Sequence, residues 1–132
     1  MADKYLVYVW VGLGSALGGM GRFWISGLVA ARFGQAFPWG TLIVNVSGSF
    51  VIGILAALAR PEGRILISPG AQQFLMYGVL GGYTTFSSFS LQTLKLIQAG
   101  SLSQAGANIA LSVIACVVAV WVGYLVGQVF NR

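Results

Sequence analysis

The 132-residue sequence contains no histidine, one cysteine and two carboxylate side chains, and charged residues make up 7% of it. Soluble domains carry roughly 25% charge, so the composition excludes an ordinary soluble protein. The two acids, Asp3 and Glu62, lie near the terminus and in a hydrophilic connection, outside every apolar run. General acid/base catalysis and side-chain metal chemistry therefore lose their usual reagents, and an enzyme is the least favoured class. Cys116 sits alone inside an apolar run and has no disulfide partner in the chain. A net charge of +5 would suggest nucleic acid in a soluble protein, but the seven basic residues are scattered rather than gathered into a patch. They read as topology and interface charges, with no nucleic-acid partner.

What is abundant is apolar: 58% of the residues are hydrophobic and the mean hydropathy is +0.88. Four apolar runs cover about 5–31, 38–59, 71–96 and 105–130. At 1.5 Å per helical residue even the shortest covers roughly 30 Å, the thickness of a bilayer's hydrocarbon core. Continuous runs of this length, rather than alternating ten-residue segments, predict an all-α membrane protein and not a β-barrel. The links are brief, so residues 1–132 are expected to form a single transmembrane domain. The first run is too long for a cleavable signal peptide and carries Arg22 within it. Glycine numbers 19, about twice the usual share of roughly 7%, and Gly14/Gly18, Gly78/Gly82 and Gly123/Gly127 have the GxxxG spacing that lets helix backbones approach closely.

Orientation should follow the lysines and arginines at span ends. With four spans, one side carries Lys4, Arg60, Arg64 and Arg132, and the other Arg32, Lys95 and, if it snorkels, Arg22. Four against three either suffices to orient the chain or permits insertion both ways, which would let two oppositely inserted copies pair.

Polar groups inside the spans carry the functional information. Arg22 lies deep in the first run with Gly18, Gly19 and Gly21 around it. A cation buried in a bilayer costs about 2.5–3.5 kcal/mol on insertion scales, so it marks either a wet mouth or a snorkelling anchor. In the second run Thr41, Asn45 and Ser49 share one helical face. Such a stripe offers uncharged donors to a dehydrating anion, or hydrogen bonds between helices. In the third run Gly81-Gly82-Tyr83-Thr84-Thr85-Phe86-Ser87-Ser88-Phe89-Ser90 is poor helix interior, predicting a break over Gly81 to Thr85 whose freed carbonyls suit a cation. Phe86 and Phe89 then face the same way, either as packing residues or with their electropositive ring edges toward an anion. The fourth run adds Asn108 and Ser112 at i, i+4, with Cys116 one turn further.

Together Gly18-Gly19-Met20-Gly21-Arg22-Phe23, Gly40-Thr41-Leu42-Ile43-Val44-Asn45-Val46-Ser47-Gly48 and Gly81 through Ser90 resemble, in order and over nearly the whole chain, the Fluc (CrcB) fluoride channels of prokaryotes. The resemblance implies an antiparallel, dual-topology homodimer in the cell (inner) membrane, with two pores, a structural sodium ion at the dimer interface and passive export of fluoride. By position, Phe86 and Phe89 look like the pair lining each pore. Asn45 looks like the polar contact beside them, with Thr41 on the same helical stripe. Ser112 resembles part of a polar track, and Arg22 a vestibule arginine. Gly81 and Thr84 resemble the positions whose backbone carbonyls hold the sodium. Members often carry an acid where this chain has Gln92, so no carboxylate role transfers to that position.

Two other classes compete. A small multidrug-type proton-coupled exporter also uses four spans and antiparallel dimers, but needs a membrane-embedded acid, which this chain lacks. A structural membrane subunit would explain the glycines without needing Arg22, Asn45 and a broken helix.

Overall fold

The computed structural model describes residues 2–132, with side-chain surroundings from Tyr5 onward; the described residues are helical, with no strand among them. Helix α1 spans Ala2–Phe33, α2 Trp39–Leu58, α3 Pro69–Gln72, a π-helical segment Gln73–Leu80, α4 Gly81–Tyr83, α5 Phe86–Gln98 and α6 Leu102–Phe130. The four apolar runs thus become four helical passes of the chain along the bundle, the third of them assembled from several pieces.

Local chemistry sets the ends. Gly34 (φ +78°) closes α1, and its N–H donates to the Ala30 carbonyl at 2.9 Å. Gly100 (φ +75°) closes α5, while the Ser101 N–H reaches back to the Leu96 carbonyl. Both positions take the left-handed turn that favours glycine. The third pass begins with Ser68 accepting from the Ala71 N–H at 3.3 Å and Pro69 in the first turn, where proline's missing donor costs nothing.

Two helices, α2 and α6, are long and apolar enough to cross a membrane. Glycines, aromatic rings and Arg22 dilute the hydropathy of the longer α1, and the third pass is cut into pieces. Burial is inverted relative to a soluble domain: Tyr5, Phe23, Trp24, Val117, Trp121 and Phe130 are all more than 60% exposed, while Asn108 is 2% exposed. Apolar surface on this scale needs lipid or a partner around it.

Close backbone approach forms two seams. α2 packs along α6, and α1 packs against the π segment and α4. A side chain at Gly123 would strike the Phe50 carbonyl, and one at Gly14 would lie 2.8 Å from the Gly78 Cα. Each GxxxG pair therefore lies in a seam, with Gly127 against Ile54 and Ala57, and Gly82 against Ser15. Gly18 is pressed against Val79 and Tyr83, so it provides helix contact rather than room for Arg22.

The third pass breaks, but over a shorter stretch than the sequence predicts. Gly81 remains helical (φ −62°, ψ −37°), and the extended residues are Thr84 (φ −77°, ψ 157°) and Thr85 (φ −152°, ψ 116°). The paired glycines need no irregular backbone, because Gly82 is spent on contact with α1. The β-branched threonines leave the helix, as residues that lose side-chain freedom in one.

Three of the basic residues line cavities at element ends. Arg60 and Arg132 line one cavity where α2 and α6 end, while Lys95 lines another beside the α1–α2 link. Asn131 fastens the first end: its Nδ2 donates to the Ala57 carbonyl at 3.0 Å, and its Oδ1 accepts from the Ile65 N–H at 2.6 Å.

Candidate functional site

The break is held by one side chain. Asn45, on α2, accepts from the Thr85 N–H through Oδ1 at 2.7 Å and donates through Nδ2 to the Thr85 carbonyl at 2.9 Å. An N–H needs an acceptor and a carbonyl a donor, so these two partners fix which way the amide faces. Asn45 thus pairs with Thr85 as a neighbouring strand would. Thr85 in turn caps α5, its Oγ1 accepting from the Ser88 N–H at 3.2 Å. Just before the break, both the N–H and Oγ1 of Thr84 donate to the Leu80 carbonyl at 3.0 Å. Ser47 and Tyr83 share a hydroxyl–hydroxyl bond of 2.8 Å that joins α2 to α4.

A cavity of about 330 Å³ lies against this break, and Asn45, Ser49, Gly81, Thr84, Thr85 and Phe86 are among its lining residues. Three groups singled out in the sequence, Asn45, Gly81/Thr84 and Phe86, therefore share one cavity. The Phe86 and Phe89 rings are 5.1 Å apart at 49°, with Phe86 75% exposed and Phe89 8%. One ring projects outward and the other is packed inside.

The remaining candidates lie elsewhere in the single chain. Thr41 is buried and lines a separate cavity of about 390 Å³ with Gln92 and Lys95. The Thr41–Asn45–Ser49 stripe thus serves two cavities at different depths. Within the Thr41 cavity's wall, Gln92 Oε1 is buried without a hydrogen-bond partner. Arg22 is half-buried on α1 and lines neither cavity. Arg60–Glu62 is the one ion pair among the described residues, and it does not involve Arg22. Among the same residues no group of three or more His, Cys, Asp or Glu could hold a metal.

Ser112 is buried at the end of a hydrogen-bonded chain. It donates to Asn108 Oδ1 at 3.4 Å, Asn108 Nδ2 donates to Thr93 Oγ1 at 2.9 Å, and Thr93 Oγ1 donates to the Phe89 carbonyl at 2.8 Å. α6 is thereby tied to α5 directly behind the inner phenylalanine. Thr93 and Thr85 were not among the candidates drawn from the sequence. The signal for Thr85 was available: a threonine three residues before Ser88 at a helix start is a capping position. Replacing Asn108 with leucine leaves the buried Ser112 hydroxyl without its acceptor and takes a donor from Thr93, and should destabilise the protein by about 1–3 kcal/mol. Combining it with Thr93→Val should cost less than the two separate losses together, as measured by thermal unfolding in detergent.

Comparison with known proteins bears on what this arrangement is for. The profile described as "CrcB-like protein, Camphor Resistance (CrcB)" matches residues 9–124. The chain belongs to the CrcB family. Its relatives include proteins named "Fluoride-specific ion channel FluC" from Methylocella silvestris, 53% identical over 125 residues and 95% of each chain, and from Opitutus terrae, 54% identical over 125 residues and 95% of each chain. Another from Rhodospirillum rubrum is 52% identical over 127 residues, 96% of this chain and 98% of that one. For a CrcB family chain, the match spans the break, Asn45, the phenylalanine pair and Ser112 alike.

Proposed function

We propose that this chain is a fluoride-selective ion channel, not an enzyme, and that it conducts passively through two pores of an antiparallel homodimer in a prokaryotic cell (inner) membrane. The observation that carries this reading is near-full-length identity above half to relatives named fluoride-specific channels. The chemistry of the break agrees with it. No ionisable side chain lines its cavity, so nothing there can exchange a proton for a substrate as an exporter would. A negative interior drives anions outward with about 2.3 kcal/mol per 100 mV, so leakage down the gradient suffices.

Fluoride is small and strongly hydrated, and a narrow path must replace its water by several donors. Asn45 has one amide hydrogen left after pairing with Thr85. Thr41 and Ser112 supply hydroxyls, Phe86 and Phe89 supply electropositive ring edges, and Arg22 concentrates anions at the entrance. The sodium ion fits the residues present. Gly81 and Thr84 line a cavity at a broken helix end, offering neutral oxygens and no carboxylate. Such oxygens suit a hard monovalent cation, with the second copy expected to complete the set. Bound there, such an ion would supply positive charge to offset the carbonyl dipoles of the broken helix end.

The deciding experiment is fluoride efflux from proteoliposomes, with chloride as control. Purified protein should release fluoride with no proton gradient or ATP; a strict need for either would overturn the channel. Tags on the termini should be reachable from both sides of the membrane. Labelling confined to one side would overturn dual topology.

A further inference from the structure

We infer that Asn45 and Thr85 are positioning residues for the cation site, each holding a backbone carbonyl free by capturing the N–H that would otherwise occupy it. In an unbroken helix the carbonyl of residue i accepts from the N–H of residue i+4. For Gly81 that donor is the Thr85 N–H, which instead bonds Asn45 Oδ1 at 2.7 Å. For Thr84 it is the Ser88 N–H, which instead bonds Thr85 Oγ1 at 3.2 Å. Both oxygens assigned to the cation thus have their helical donors bonded elsewhere, one to a side chain of α2 and the other to the cap of α5.

The same pair also sets the anion path. Asn45 Nδ2 donates to the Thr85 carbonyl at 2.9 Å, and Phe86 opens α5 at the next residue. A change that lets the Thr85 N–H return to Gly81 would rewind the break and swing Phe86 with it. Cation site and phenylalanine pair are therefore two outputs of one hinge, so loss of the cation site should accompany loss of conduction through a residue that never touches the cation.

This rests on the sodium assignment above, and the test separates the two. The thermal midpoint of detergent-purified protein is measured in sodium chloride against N-methylglucamine chloride. The unsubstituted protein should be stabilised by sodium in a saturable way. Asn45→Leu removes the acceptor and should abolish that stabilisation or raise the half-saturating sodium at least tenfold, whereas Asn45→Asp keeps an acceptor for the Thr85 N–H in either protonation state and should retain it. Thr85→Val should weaken sodium stabilisation and Thr85→Ser restore it. A sodium effect in the unsubstituted protein that survives in both Asn45→Leu and Thr85→Val overturns the positioning role and leaves the sodium assignment standing. No sodium effect in the unsubstituted protein overturns both.

Discussion

Replacing Phe86 by isoleucine is expected to lower fluoride throughput roughly tenfold or more, equivalent to about 1.4 kcal/mol in the barrier, while leaving the protein folded. Isoleucine keeps apolar bulk but removes the ring quadrupole that turns a positive edge toward an anion. Phe86 is 75% exposed in the chain, so the change opens no cavity in the subunit and the loss can be read as conduction. Phe89→Ile should reduce flux as strongly, but for two reasons. That ring is 8% exposed and packs 5.1 Å from Phe86, so shrinking it adds a packing cost to the loss of the edge. The pair is informative for that reason: equal flux defects with unequal thermal stability would mark both rings as pore-lining. Normal conduction in both variants would make them packing residues and move the path to another face.

Where sequence reasoning succeeded, it did so because the bilayer imposes a simple rule. A chain in lipid must satisfy its backbone internally, so apolar length alone gives the passes; the runs at 38–59 and 105–130 became α2 and α6 within a few residues at each end. The glycine pairs were legible for a similar reason. Spacing of four places them on one helix face, and both seams use them.

The break was legible in kind but not in extent. Poor helix formers cluster over Gly81 to Thr85, and local propensity cannot say which of them leave the helix. That depends on Gly82 lying against Ser15 of α1 and on Asn45 reaching Thr85 from forty positions earlier in the chain. Asn45 itself was singled out for its depth in an apolar run. Its double bond to a backbone is a tertiary event that no spacing within α2 records. The same holds for Thr93, whose hydroxyl gains meaning only when α6 brings Asn108 to 2.9 Å. Arg22 and Thr41 stay apart from the break in the single chain.

The largest structural effect is expected at Gly18. A side-chain carbon there would fall on the Val79 carbonyl oxygen and lie 2.8 Å from the Tyr83 N. These are backbone atoms, which cannot swing aside as a side chain can. Even alanine therefore forces α1 away from the π segment, and valine adds two more carbons to the same clash. Overpacking of this kind costs about 1–3 kcal/mol where the surroundings can relax, and a rigid seam leaves little relaxation. Gly18→Val should abolish the yield of monodisperse protein, and Gly18→Ala should lower its thermal midpoint. At Gly12, on the same helix, nothing lies within 4 Å of the added carbon, so Gly12→Ala should be tolerated. The clash at Gly18 also points toward function. Tyr83 lies directly ahead of Thr84, with Val79 one turn earlier in the π segment, and Tyr83 carries the 2.8 Å bond to Ser47. Displacing them pulls α4 from α2 and loosens the pairing of Asn45 with Thr85. Gly18→Ala should therefore lose fluoride flux in greater proportion than its fall in folded protein. Flux that merely tracks the folded fraction would show that the α1 seam supports the fold without setting the break.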